Sequence, residues 1–190
     1  MRRRISLLRL SCAVTLLPRL RRRPRARSII VSAMIGISAL GLSEFAPPGP
    51  LLVWNASASA PLGFYWISHA QAVSRGDLVL AALPEAARHL AAERGYLPAG
   101  VPVVKRVAAL AGDVVCAKSG IVLINDRLAA EALPMDRQGR PLPAWRGCRA
   151  LDDTEVFLLM EGVRDSFDGR YFGPIEAKAI IGRLVALWTW

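Results

Sequence analysis

The chain has 190 residues, 53% hydrophobic, with a formal net charge of +10, enough for one domain with a real core plus appendages. Of its 25 Lys and Arg side chains, ten arginines fall in residues 1–27, which hold no acid, leaving 15 basic against 15 acidic groups elsewhere. The body is therefore electrically balanced, which excludes a basic nucleic-acid-binding domain, and no nucleic-acid partner is expected.

The arginine-rich tail, 1–27, includes Cys12 and an apolar run, Ile5–Leu17, that Arg9 interrupts and that is too short to span a bilayer. The most apolar segment follows, Ile29–Ala46, with one acid near its end. As a helix rising about 1.5 Å per residue it reaches about 27 Å, enough for a thin hydrocarbon core. An anchor over 28–46 is expected, with the arginines held on the cytoplasmic side and 47–190 outside. A cleaved signal peptide fits the same charge and hydropathy; the lack of a clear small-x-small site before Pro47-Pro48 favours a retained anchor. Pro47-Pro48-Gly49-Pro50 is a rigid hinge.

Leu51–Trp54 is apolar again and leads into Asn55-Ala56-Ser57-Ala58-Ser59-Ala60-Pro61, with Phe64, Tyr65 and Trp66 behind it. These aromatics, with Trp54 and Leu51–Val53, fit either a lipid-surface ridge or ordinary core. Arg75-Gly76-Asp77 is a turn, Leu78–Ala82 a short strand, and Pro84–Arg94 a surface helix with proline at its start and Gly95 past its end. Val101–Ala109 is a second strand, in which alternation places Val101, Val103, Lys105 and Val107 on one face. Strand Val114–Cys116 precedes a hairpin, Gly120–Ile124 and Arg127–Ala130, turned at Asn125-Asp126. Pro134–Arg149 is an irregular excursion, Glu155–Met160 a strand, Gly162–Gly173 a polar loop, Ile175–Ile181 a short helix or turn, and Leu184–Trp190 a closing strand. Strands outnumber helices, so the body is mainly β. Cys116 and Cys148, both in the exported part, are either buried thiols or a disulfide closing about 31 residues, which would contribute about 3–4 kcal/mol. Two histidines and no CxxC argue against a zinc site.

A hydroxyl nucleophile needs a base. His69 lies in a turn and His89 on the surface helix, poor settings for a catalytic imidazole. Lys105 has valines beside it, and an apolar setting lowers an ammonium's pKa; a lysine extended from a strand edge fits the same pattern. Ser166, Asp168 and Arg170 alternate, so an extended loop would point all three one way, with Asp168 and Arg170 able to pair.

Three stretches, Asn-x-Ser-x-Ser-x-Pro-x-Gly-x-Tyr at 55–65, Val-Lys-Arg-Val-x-x-x-x-Gly-Asp at 104–113 and Ser-Phe-Asp-x-Arg-Tyr-Phe-Gly at 166–173, resemble in order the boxes of the signal peptidase I superfamily, most closely its TraF-type branch. The resemblance implies a signal-peptidase-like β-rich catalytic domain with a few short helices behind one transmembrane helix. It implies Ser59 as nucleophile and Lys105 as general base, with the Ser57 hydroxyl and Ser59 N–H as oxyanion hole and Ser166, Asp168 and Arg170 as supports. It implies neither cofactor nor metal, an inner-membrane location with a periplasmic catalytic domain, and an exported protein substrate, a conjugative pilin precursor that is cut or cyclised. A general signal peptidase and a non-catalytic assembly factor of a secretion channel are the alternatives. Gly169 stands where the family usually has serine, a change expected to loosen the loop slightly, and Ala111 stands where proline often precedes Gly-Asp.

Overall fold

The computed structural model describes residues 24–43, 52–69 and 72–190; the tail through residue 23 with Cys12, and the Pro47–Pro50 hinge, lie outside the described residues. The chain divides into two units after residue 48. The first contains helix α1, Pro24–Ser43, 20 residues long, opened by a proline at a position that lacks an intrahelical N–H partner anyway. The expected anchor overlaps α1 as far as Ser43, and Glu44–Ala46 lie outside the described residues. Among the described residues no helix is long and apolar enough to cross a membrane.

The second unit is mainly β. Its strands are β1 (Leu52–Asn55), β2 (Gly63–Ser68), β3 (Leu78–Ala81), β4 (Val103–Ala109), β5 (Val114–Lys118), β6 (Ile121–Ile124), β7 (Arg127–Glu131), β8 (Gly147–Ala150), β9 (Glu155–Leu159), β10 (Ile175–Glu176) and β11 (Ile180–Thr189). Helices α2 (Glu85–Glu93) and α3 (Gly169–Phe172) complete it, with a single 3₁₀ turn at 177–179. A seven-stranded sheet runs β1-β2-β11-β3-β4-β9-β10 and a four-stranded sheet β7-β6-β5-β8. Neighbours pair antiparallel throughout.

The cores follow from strand alternation. On β2, Tyr65 and Ile67 are buried and Trp66 between them is exposed. Val115, Val122 and Ile124 of the small sheet pack with Phe157 and Leu159 of β9, and full burial of such side chains stabilises by about 1.5–3 kcal/mol each. Strand β4 departs from simple alternation. Val104, Lys105, Val107 and Ala108 are all buried and only Arg106 is exposed, because both faces are covered: Val104 packs with Tyr65 and Leu80, Val107 with Val79 and Leu158, and Ala108 with Val115 and Phe157. Val101 precedes the strand and is exposed.

Several sequence expectations are corrected. The stretch flanking the serines is a hairpin of β1 and β2, and Tyr65 is core, whereas Trp54 and Trp66 are exposed. Strand β11 begins at Ile180, four residues before the expected start, and the segment read as a short helix or turn holds the two-residue strand β10 followed by the 3₁₀ turn. Cys148 lies on β8, a strand inside the segment read as irregular. It faces Cys116 across the β5–β8 pairing, and the two form a disulfide. Asn125 and Asp126 both take positive φ, 50° and 62°, the left-handed pair that a two-residue hairpin turn requires. Gly63, at φ 144°, lets β11 approach at its bulge, where a Cβ would stand 2.0 Å from the Trp188 carbonyl oxygen.

Candidate active site

The serine loop is built by β1 and β2. Asn55, buried at the end of β1, donates from Nδ2 toward the carbonyls of Ser57 (3.0 Å), Ala60 (3.1 Å) and Pro61 (3.0 Å), while its Oδ1 accepts the Ser57 N–H at 3.1 Å. Tyr65 Oη donates to the Pro61 carbonyl at 2.7 Å. A loop too short for ladder bonds thus has its inward carbonyls satisfied by two side chains, the usual requirement for buried backbone polar groups. Ser57 and Ser59 are left on the outer side, their hydroxyl oxygens 2.9 Å apart, and the Ser59 N–H is directed at Ser57 Oγ at 3.4 Å.

Lys105 arrives from the middle of β4, opposite Val79 of β3. Its side chain is only 4% exposed, and Nζ donates to Ser59 Oγ at 3.0 Å and to Ser166 Oγ at 2.9 Å. Burial pushes its pKa down to about 8, against the pull of the Asp168 carboxylate upward and with a smaller push downward from Arg170. Desolvation of this kind disfavours the charged form. A partly neutral amine at hydrogen-bond distance from a hydroxyl can take that hydroxyl's proton.

Ser166 is placed by the turn before α3. The segment read as a polar loop contains a turn and a short helix, so Ser166, Asp168 and Arg170 are not on one extended strand: Asp168 caps α3, accepting the Arg170 N–H at 3.3 Å. Asp168 is 0% exposed and its ion pair with Arg170 is buried, so the pair is not the solvated surface contact that its polar sequence suggests. Asp168 takes the Met160 N–H at 3.0 Å, and Arg170 reaches the Val163 and Arg164 carbonyls at 2.7 and 3.1 Å. Arg170 thereby fixes the segment on the amino side of Ser166. Gly169 does not loosen this loop. A Cβ there would stand 2.7 Å from both the Leu158 carbonyl oxygen and a Phe157 ring carbon, so the Phe157 ring occupies the space a serine would need.

Ser57, Ser59, Lys105 and Ser166 line one end of a cavity of about 490 Å³. His69 and His89 do not line it; His69 faces the Ile181 carbonyl and His89 an exposed glutamate. Among the described residues no cluster of His, Cys, Asp and Glu that could hold a metal ion occurs. Sequence reasoning gave no role to Asn55, or to Arg94, Tyr96, Asp136 and Arg140 at the cavity's other end. The available signal for Asn55 was a lone amide closing an apolar run just before small residues.

Asn55→Ala is expected to destabilise the body by about 2–3 kcal/mol, because it leaves the buried Ala60 carbonyl without a donor and removes one of two from the Ser57 and Pro61 carbonyls. Asn55→Asp, which keeps only the acceptor, should cost a similar amount; urea unfolding of both variants measures it.

A family model and similar sequences point to one group of proteins. A family model described as "Signal peptidase, peptidase S26" matches residues 25–190. The chain is 36% identical over 146 residues to the plasmid transfer protein TraF of Escherichia coli, covering 72% of this chain and 82% of that one. It is 33% identical over 171 residues to a probable conjugal transfer protein TraF of Sinorhizobium fredii, covering 85% and 89%. A crystal structure of a signal peptidase I from Enterococcus faecalis aligns at 17% identity with a TM-score of 0.36, over 60% of this chain and 98% of that one.

Proposed function

The chain belongs to the signal peptidase S26 family, in its TraF-type branch, and on that premise we propose that it is a serine endopeptidase of conjugative transfer working through a Ser59–Lys105 dyad. Neutral Lys105 takes the Ser59 proton and Ser59 attacks a carbonyl of an extended substrate segment. The Ser57 hydroxyl turns from the Ser59 N–H toward the new oxyanion, so that both groups face the tetrahedral intermediate. Protonated Lys105 then returns its proton to the leaving amine, and the acyl-enzyme is resolved by water or by an amine of the substrate itself. Ser166 holds the lysine, and Asp168 with Arg170 holds Ser166.

The substrate of this reading is a pilin precursor, supported by the conjugal-transfer names of the relatives. The anchor over 28–46, the inner-membrane location and the periplasmic catalytic domain are supported by the sequence: ten arginines, then an apolar run. The exposure of Trp54 and Trp66 on the hairpin that carries the serines supports contact with a lipid surface beside a tethered substrate.

The observation that carries the reading is the buried lysine amine 3.0 Å from Ser59 Oγ and 2.9 Å from Ser166 Oγ. In donor cells, Ser59→Ala and Lys105→Ala should each leave the pilin precursor unprocessed and abolish transfer, while ordinary presecretory proteins mature normally. Immunoblots of both substrate classes check this; maturation of pilin in either variant would overturn it. Accumulation of presecretory precursors would make the enzyme a general signal peptidase instead.

A further inference from the structure

The cavity continues from the serine–lysine end to a charged end, by way of the Phe167 ring, next in sequence to Ser166, and the Tyr96 ring 5.5 Å from it. There Asp136 is fully used. Its Oδ2 accepts from Tyr96 Oη at 2.5 Å and Arg140 Nε at 2.7 Å, and its Oδ1 accepts the N–H groups of Gln138 and Arg140, both at 2.9 Å. A carboxylate with four donors has little left to offer a fifth.

Arg94, the residue that ends α2, stands 3.9 Å from this occupied carboxylate and makes one long contact, 3.5 Å, to Tyr96 Oη. Its side chain is 16% exposed, and among the described residues none accepts a hydrogen bond from its Nε or Nη2. Arg137, also on the cavity wall, is paired with Asp165. Lys105 aside, the cavity therefore carries three guanidinium groups against two carboxylates, and Arg94 is the one of the three with no carboxylate within hydrogen-bond distance. A guanidinium is a planar fork suited to a carboxylate, and partial desolvation strengthens that pairing.

We infer that Arg94 is an anion-binding position of the substrate cleft and takes a carboxylate of the bound polypeptide, either an acidic side chain or the terminal carboxylate. The inference rests on the cleft being the peptidase site, and names a chemical requirement that the serine and lysine do not impose.

Binding is measured on the full chain carrying Ser59→Ala, which retains the cleft without turnover, by fluorescence anisotropy. The probes are short labelled peptides in which one glutamate is walked along the sequence, each with a glutamine twin, and peptides with a free or an amidated carboxyl terminus. One acid is expected to bind about tenfold tighter than its neutral twin. That preference disappears in Arg94→Gln and survives in part in Arg94→Lys, and the pair showing it tells side chain from terminus. Equal binding of every acid and its twin, or a preference that outlasts Arg94→Gln, overturns the inference. Failure of every peptide to bind overturns it together with the cleft assignment. Acid-selective binding without any cleavage by the Ser59 protein would sink the peptidase reading alone.

Discussion

Lys105→Met is expected to lower peptide cleavage at least about a thousandfold, as loss of a general base does in hydrolases whose groups act as a unit, while leaving the unfolding midpoint equal or higher. The two halves of this result separate a catalytic lysine from a structural one. The folded protein holds the amine at about 8, against an ordinary 10.5, so between those values the unfolded chain binds more protons than the native one. Stability contributed by this group therefore rises with pH across that window, and below about 8 its burial costs the fold something on the order of 3 kcal/mol. A methionine of similar length removes that cost and gives up two hydrogen bonds. A lysine kept for structure would destabilise the body when lost. The same pKa sets the pH profile: kcat/KM of the parent enzyme should climb with pH and level off above about 8, because only the neutral amine can accept the serine's proton. A profile flat from neutrality to pH 9, or a Lys105→Met protein that cleaves at an appreciable rate, would remove the dyad.

Asp168→Asn is the substitution expected to damage the fold most. Removing one partner of a buried ion pair leaves the other charge uncompensated, at about 3–5 kcal/mol, against a total stability for such domains of about 5–15 kcal/mol. Arg170, 2% exposed, would keep its carbonyl contacts but lose its counter-charge, and the segment holding Ser166 would lose its fixed end. Combining Asp168→Asn with Arg170→Met should recover part of the loss, since no buried charge then remains. Urea unfolding of the single and double variants provides the cycle; additive losses would show that the two side chains do not act as a pair.

How much of this was legible in the sequence depended on whether a residue's partners were near it in the chain. The central strand, the Asn125-Asp126 hairpin and α2 were visible because alternation and turn chemistry are local. The β1–β2 hairpin was not, because Pro61 and the small residues between Trp54 and Phe64 resemble a free loop until β11 pairs with β2. The burial of both faces of β4 was equally hidden, since a strand's neighbours are set by topology and not by its own letters. At the site, Ser59, Lys105 and Ser166 were named from motif order, whereas Asn55 and Arg94 required the fold. Their importance lies in which hydrogen bonds they complete or leave free. Gly169 shows the converse: its departure from the family pattern reads as looseness in sequence, and becomes tight packing once the Phe157 ring is placed against it.

The Cys116–Cys148 disulfide bears on when the molecule becomes complete. Chain 132–146, which carries Asp136 and Arg140, leaves the small sheet at the end of β7 and rejoins it at β8. Strand β8 is exposed along its whole length and pairs with β5 alone, so little apolar burial holds it there. The covalent link closes that loop, across a sequence separation of 32, and removes about 3–4 kcal/mol of freedom from the unlinked chain. Thiols stay reduced in the cytosol and oxidise outside it. In the oxidised molecule the wall carrying Asp136 and Arg140 is held both by this covalent link and by its hydrogen bonds to Tyr96 and the Arg94 carbonyl.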